Sequence, residues 1–209
     1  MFRFIRLADR YVEVPAGSNK HNYANVDVIV DTAISQECGA VWPGWGHASE
    51  NPQLPQRLLE EGIIFIGPTS RVMALLGDKV AANLLAQTAG VPCIPWSGDG
   101  LTVEGVGLEG GIDDVLFRKA CINNVEEAIA CAERIGYPVM LKASEGGGGK
   151  GIRKCGSTNE MRTAYSQVTT EVPGSPVFIM QMCSNARHIE VQVVGDLHGE
   201  CATLSGRDC

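Results

Sequence analysis

Apolar and polar positions fall into two different rhythms along this chain. Over 24–96, helical and strand-like spacings alternate. Residues 24–34 carry a helical pattern, and Ala40-Val41-Trp42 reads as a short strand. Asn51 followed by Pro52 marks an N-cap with proline in the first turn, opening a helix that runs to Glu61. Ile63-Ile64-Phe65-Ile66 is a continuous apolar run halted by Gly67-Pro68, as expected of a strand buried on both faces. Another helical stretch covers 70–89, with a break near Gly77. This alternation implies a parallel α/β layer.

The rhythm then stops. Residues 97–115 hold many glycines and almost no periodicity, and read as a loop or surface insertion. Helix signals return with Asn124 as N-cap, Glu127 three residues on, Gly136 at the end and Pro138 beyond. Ser157 and Glu160 repeat the capping box before a helix ending near Val172. Strands are expected over 177–182, 188–194 and 200–204, the last two joined by a turn at 196–199. The second half is therefore α+β with antiparallel strands, a lobe separate from the first, and no internal repeat is visible.

The segment 139–154 carries the chemistry. An apolar run ends in Lys142, then Gly146 to Gly149 stand in a row before Lys150, Gly151 and a second strand-like run. Glycine accepts positive φ and lets backbone lie close to a ligand, so inward-turned amides can cradle an anion. Lys142, Lys150, Arg153 and Lys154 surround that stretch with positive charge. The pattern suits a nucleotide polyphosphate held under a hairpin. It is no P-loop, because Gly149-Lys150 is followed by Gly151-Ile152 rather than by Ser or Thr opening a helix. A dinucleotide fingerprint is excluded too, since a strand and not a helix follows. The same residues also read as a flexible glycine-rich linker.

Bulk properties narrow the class. The 209 residues carry 17 Lys and Arg against 24 Asp and Glu, a net charge of −7, which argues against a dedicated nucleic-acid binder. No apolar run approaches the roughly 20 residues of a membrane span. The first six residues are too short and too charged for the apolar region of a signal peptide. The eight cysteines contain no Cys-x-x-Cys pair, which argues against a zinc site or redox motif. They read as reduced, mainly buried small residues of an intracellular protein.

Three motifs in order then resemble one family. Residues 41–52, Val-Trp-Pro-Gly-Trp-Gly-His-Ala-Ser-Glu-Asn-Pro, together with 140–153 and Arg187-His188-Ile189-Glu190-Val191-Gln192, resemble the biotin carboxylase component of acetyl-CoA carboxylase, of the ATP-grasp superfamily. The likeness covers nearly the whole chain. The Trp-Pro-Gly-Trp form resembles the eukaryotic multidomain type, where pyruvate and propionyl-CoA carboxylases generally show His-Pro-Gly-Tyr. It implies an α/β fold: a partial Rossmann-like pre-ATP-grasp domain, an α+β ATP-grasp lid lobe, and the first strands of the C-terminal lobe. The expected boundaries are 1–96, a Gly-rich connection over 97–117, the lid over 118–186, and a truncated C-terminal lobe over 187–209.

The resemblance also implies function. A ligase of this kind uses ATP and bicarbonate to form carboxyphosphate and then carboxylates biotin on a separate carrier domain. A carboxyltransferase domain passes the carboxyl group to acetyl-CoA, giving malonyl-CoA for fatty acid biosynthesis. Lys79 matches a phosphate-contacting lysine, and Lys142 the lysine before the glycine loop. Gly148 and Gly149 match phosphate-contacting backbone. Met180, Gln181, Met182 and Cys183 match the strand that frames adenine, and His188 a histidine near ribose and phosphates. Bacterial members place Glu-Lys at Met180-Gln181, so backbone contacts to adenine survive here while a side-chain contact does not. Taken alone, Lys79 reads as a solvated surface lysine and His188 as a polar-face strand residue alternating with Glu190 and Gln192. Trp42 and Trp45 read as packing residues, and Asn51 as a cap.

Other expectations concern what is missing. The Mg²⁺ or Mn²⁺ ligands, the catalytic arginine and the bicarbonate-binding residues of the family lie beyond Cys209. The first strand and glycine turn of the N-terminal domain are missing, and no Met-Lys-Met biotin-attachment motif occurs. The expected partners are the carrier and carboxyltransferase domains of the same parent, itself a homo-oligomer, with no nucleic acid and no membrane span. The expected compartment is the cytoplasm, or a plastid given an upstream transit peptide. The 209 residues alone are expected neither to cleave ATP in response to bicarbonate nor to carboxylate free biotin. Two alternatives stand beside this: another ATP-grasp biotin-dependent carboxylase, and a non-catalytic nucleotide-binding module.

Overall fold

Capping side chains set most helix starts in this chain. The computed structural model describes residues 5–103, 111–146 and 149–208. Helix α1 (Val26–Ser35) starts where Asn25 Oδ1 accepts the Val28 N–H at 3.1 Å. Asn51 Oδ1 accepts the Gln53 N–H at 3.0 Å just before α2 (Gln53–Glu60), so Asn51 caps and Pro52 precedes the first turn rather than lying in it. Strands β1 (Ala40–Val41) and β2 (Ile64–Phe65) pair in parallel, as the alternating pattern requires. Val30 and Ala33 of α1 pack with Leu54 and Leu58 of α2 and with Ile63 into one buried cluster. Trp42 and Trp45, offered by the sequence as packing residues, are exposed instead.

The helical stretch after β2 is two helices, α3 (Ser70–Gly77) and α4 (Lys79–Thr88), broken at Asp78. Asp78 is extended and caps α4, its Oδ1 accepting the Ala81 N–H at 2.8 Å. A further helix, α5 (Asp114–Ala120), begins inside the stretch read as loop. Its length of seven residues is too short for a visible period, but its charges fit a helix. Asp114 lies in the first turn and Arg118 and Lys119 in the last, complementing the helix dipole.

The second half is a three-stranded antiparallel sheet with β3 (Val139–Ala143) in the middle, β4 (Ile152–Cys155) on one side and β5 (Val177–Gln181) on the other. Helices α6 (Val125–Ile135) and α7 (Thr158–Glu171) cover one face. Val139, Leu141, Ala143, Val177 and Ile179 point there, against Ala128, Ala132, Met161, Ala164 and Val168. Phe178 and Met180 point the opposite way, against Trp96, Val80, Leu84 and Ala120. That second cluster attaches α4 and α5 to the sheet. Strand β5 is fixed further by Ser97 N–H on Ile179 O and by Gln181 N–H on Pro95 O, both at 2.8 Å.

The last two strands, β6 (Ile189–Gly195) and β7 (Cys201–Asp208), form an antiparallel ribbon. Strand β7 continues past residue 204, where the sequence reading ended it. Gly206 pairs opposite Val191, and the polar 205–208 run carries no apolar alternation to announce a strand. The described cysteines are free, but the expectation that they are mainly buried fails. Among the described residues Cys38, Cys183 and Cys201 are exposed, and only Cys131 and Cys155 are buried. No described helix is long and apolar enough to cross a membrane.

Candidate functional site

Strand alternation decides where Lys142 points. Its neighbours Leu141 and Ala143 face α6 and α7, so Lys142 shares the opposite face with Met180. Its Nζ lies 3.6 Å from Met180 Sδ. Lys79, the first residue of α4, reaches the same place from the other side. Its Nζ donates to Ser144 O at 2.8 Å and to Gly146 O. Burial lowers the Lys142 pKa below the ordinary lysine range, and the positive charge of Lys79 lowers it further, with a smaller opposing effect from Cys183. Two ammonium groups thus face one space, and neither forms an ion pair with a described carboxylate. An anion placed between them would relieve both the burial and the repulsion.

The glycine-rich loop borders this space. Gly146 approaches the far end of its own loop so closely that a Cβ there would sit 2.5 Å from Lys150 O. Gly151 has φ +70°, and a Cβ would lie 2.8 Å from Val172 Cγ2 and 2.9 Å from Ala143 Cβ. Both positions therefore require glycine. Their amides are already engaged: Gly146 N–H on Ala143 O at 3.2 Å, and Gly151 N–H on Glu171 Oε2 at 3.0 Å. They fix the two roots of the loop and are not free for a ligand. Gly149, with φ +85°, stands between them, and Gly148 lies outside the described residues.

The positive charge around the loop is less concentrated than the sequence suggested. Arg153 pairs in register with Leu141, so it lies on the α7 side of the sheet. There it bonds Gln167 at 3.1 Å and forms an ion pair with Glu171. The Gly151 N–H, and after it Arg153, lower the Glu171 pKa. Lys150 and Lys154 are exposed. A cleft of about 430 Å³ opens on that α7 side between Arg153 and Gln167, away from the two lysines.

The strand matched to adenine forms one wall. Met180 is 9% exposed, Met182 is half-buried, and Gln181 and Cys183 are exposed. Gln181 N–H and Met182 N–H are committed to Pro95 O at 2.8 Å and Pro138 O at 3.1 Å. The structure therefore brings Lys79, Lys142, Met180 and the loop roots together. His188 is exposed just before β6, and no described contact joins it to the lysines. Among the described residues no cluster of three or more His, Cys, Asp or Glu side chains could hold a metal ion. Sequence reading missed Asp78 and Ser144. Asp78 was legible as a cap after Gly77, but nothing local signals its bond to Ser144, 66 residues away.

Comparison with known proteins resolves the family. Residues 1–73 match the biotin carboxylase N-terminal domain, and residues 114–209 match the ATP binding domain of the carbamoyl-phosphate synthase L chain. Acetyl-CoA carboxylase of Dictyostelium discoideum is 56% identical over 208 residues, 99% of this chain. Acetyl-CoA carboxylase of Schizosaccharomyces pombe is 54% identical over 211 residues, again 99% of this chain. The chain belongs to the biotin carboxylase family.

This biotin carboxylase chain spans 9% of the length of those relatives. Its structure resembles a biotin carboxylase of Campylobacter jejuni, solved as a β,γ-ATP complex, at TM-score 0.81 and 33% identity. It also resembles the biotin carboxylase domain of Hydrogenobacter thermophilus 2-oxoglutarate carboxylase, solved with MgADP, ADP and bicarbonate, at TM-score 0.78 and 34% identity. Each match covers 99% of this chain and 42% of the solved chain. The fold is thus a partial ATP-grasp architecture, with the sheet of β3 to β5 and helices α6 and α7 as one lobe.

Proposed function

We propose that this chain grips ATP within a ligase that carboxylates biotin, the biotin carboxylase activity of an acetyl-CoA carboxylase. In that reaction a bicarbonate oxygen attacks the γ-phosphorus, ADP leaves, and the carboxyphosphate formed yields its carboxyl group to a nitrogen of biotin on a separate carrier domain, releasing inorganic phosphate and the proton of that nitrogen. The observation that carries the reading is the facing pair Lys79 and Lys142, two cations without a described counter-ion beside a glycine-rich loop. Fixed ammonium groups aimed at phosphate stabilise charge in a site that needs no reorganisation.

Each residue has a distinct part. Lys142, half-buried and short of counter-charge, holds a phosphate oxygen. Lys79 has three N–H donors and uses two on Ser144 O and Gly146 O, leaving one for phosphate. Gly149, between the two fixed roots, lies over the phosphates. Met180 and the stretch from Gln181 to Cys183 flank adenine. His188 approaches the ribose side only with β6 against the lobe. Among the described residues no cluster of His, Cys, Asp or Glu side chains fits a divalent cation, and none of these parts is routed through a metal. The two structural relatives, solved with β,γ-ATP and with MgADP, ADP and bicarbonate, support nucleotide and bicarbonate as the ligands of such a ligase.

The test is ATP-dependent incorporation of isotopically labelled bicarbonate into biotin by the full-length protein. Incorporation should require ATP and fall at least tenfold in Lys142→Gln, a loss of about 1.4 kcal/mol or more. ATP binding without any incorporation would support a non-catalytic nucleotide module instead.

A further inference from the structure

Asp78 divides its carboxylate between two parts of the molecule. Oδ1 accepts the Ala81 N–H at 2.8 Å and so caps α4, while Oδ2 accepts the Ser144 hydroxyl at 2.6 Å. Ser144 is 1% exposed, and its own N–H donates to Pro176 O at 2.8 Å, which fixes the origin of that hydroxyl. Ser144 O in turn accepts Lys79. Two consecutive residues at the start of α4 therefore hold the first root of the glycine-rich loop, one through a side-chain hydroxyl and one through backbone carbonyls.

Helix capping accounts for only half of this. An N-cap needs a single oxygen, and Ser, Thr or Asn would supply it. The second oxygen makes a charge-assisted bond to a buried group, which is roughly twice as strong as a neutral one. Asp78 is also the only residue between α3 and α4, and it is extended. Rotation there would swing Lys79 away from the sheet. The bond to Ser144 closes that joint.

We infer that Asp78 is a positioning residue: by tying the α3–α4 joint to Ser144 it presents the free donor of Lys79 and the loop root to the phosphates as one unit. The inference rests on the nucleotide reading above and deepens it. Asp78 touches no nucleotide itself. Its effect is confined to ligands that carry phosphate.

The test compares Asp78→Ser, Ser144→Ala and the double variant in the full-length protein. Asp78→Ser keeps a capping oxygen and loses the reach to Ser144, while Ser144→Ala keeps the cap intact. ATP binding is measured by calorimetry and adenosine binding by ligand-observed NMR. Each single variant is expected to weaken ATP about tenfold and to leave adenosine unchanged, because one charge-assisted hydrogen bond is at stake. The double variant is expected to lose no more than the worse single one, as for two ends of one bond. Equal weakening of ATP and adenosine, or losses that add, would overturn the inference and leave the nucleotide reading standing. Should Asp78→Ser not unfold cooperatively, Ser144→Ala decides alone, and unchanged ATP affinity in it overturns the inference. No ATP binding by the unaltered protein would overturn both.

Discussion

Lys142 is the residue whose surroundings ask most for a ligand. Burial is the larger cause of its lowered pKa and the charge of Lys79 the next. A phosphate beside it reverses both effects, since an opposite charge favours the protonated form. The bound state therefore holds the Lys142 proton more tightly than the free state. On the alkaline side, just below the ordinary lysine range, ATP binding is expected to take up protons. Calorimetry in two buffers of different ionisation enthalpy reads this directly. Uptake should vanish in Lys142→Gln, and equal uptake in both proteins would contradict the assignment. Lys79 reaches the same space from a helix start that, taken alone, reads as solvated surface. Its role depends on Ser144 and Gly146, 65 and 67 residues distant, which no local pattern reveals.

At the scale of elements, the glycine-rich loop works because its roots are fixed while its tip carries no bulk. Replacing Gly151 with Ala sets a methyl against Val172 and Ala143 at a positive φ, and the loss of stability should be about 1–3 kcal/mol by denaturant unfolding. An unchanged midpoint would mean that the root yields freely. The same root depends on the Glu171 carboxylate, which accepts the Gly151 N–H and pairs with Arg153. Its folded pKa is depressed, so the contribution is present above the ordinary carboxylate range and is lost as pH falls through the lower, folded value. The Gly151 amide resonance should titrate with a midpoint below that of an ordinary glutamate. A midpoint at or above the ordinary value would remove Glu171 from the root.

Much of this element scale was legible in the sequence, for reasons that can be named. Asn124 with Glu127 and Ser157 with Glu160 are reciprocal caps, and the structure uses both: Glu127 accepts Asn123 N–H at 2.9 Å and Glu160 accepts Gly156 N–H at 2.8 Å. The break near Gly77 lies at Asp78. Helix α5 escaped because seven residues show no period, and the end of β7 escaped because its residues are polar on both faces. In the candidate site, Lys142 and the loop were visible as local pattern. The engagement of Arg153 by Glu171 and the Asp78 to Ser144 bond were not, because tertiary contacts decide them.

At the scale of the whole molecule, the two faces of one small sheet separate stability from binding. The α6 and α7 face holds the larger buried cluster, while the opposite face joins Trp96, α4 and α5 and carries Lys142. Trp96, fully buried against Phe178 with ring centroids 6.4 Å apart, is the joint between them. Its indole N–H donates to Gln87 at 3.1 Å on α4, so loosening it should disturb Lys79 as well as stability. Trp96→Phe is expected to lower the melting temperature by several degrees and to weaken ATP in step, for a loss of about 1–3 kcal/mol. ATP affinity unaffected by that loss would show that α4 keeps its place without this joint.

In the proposed function Lys79 and Lys142 together hold nucleotide phosphate. It is tested most directly by calorimetric titration of ATP into the full-length protein and into its Lys79→Gln and Lys142→Gln variants. Each variant should still unfold cooperatively and bind ATP about 10- to 100-fold more weakly, the worth of one charged hydrogen bond. ATP affinity equal to that of the unaltered protein in both variants would contradict it.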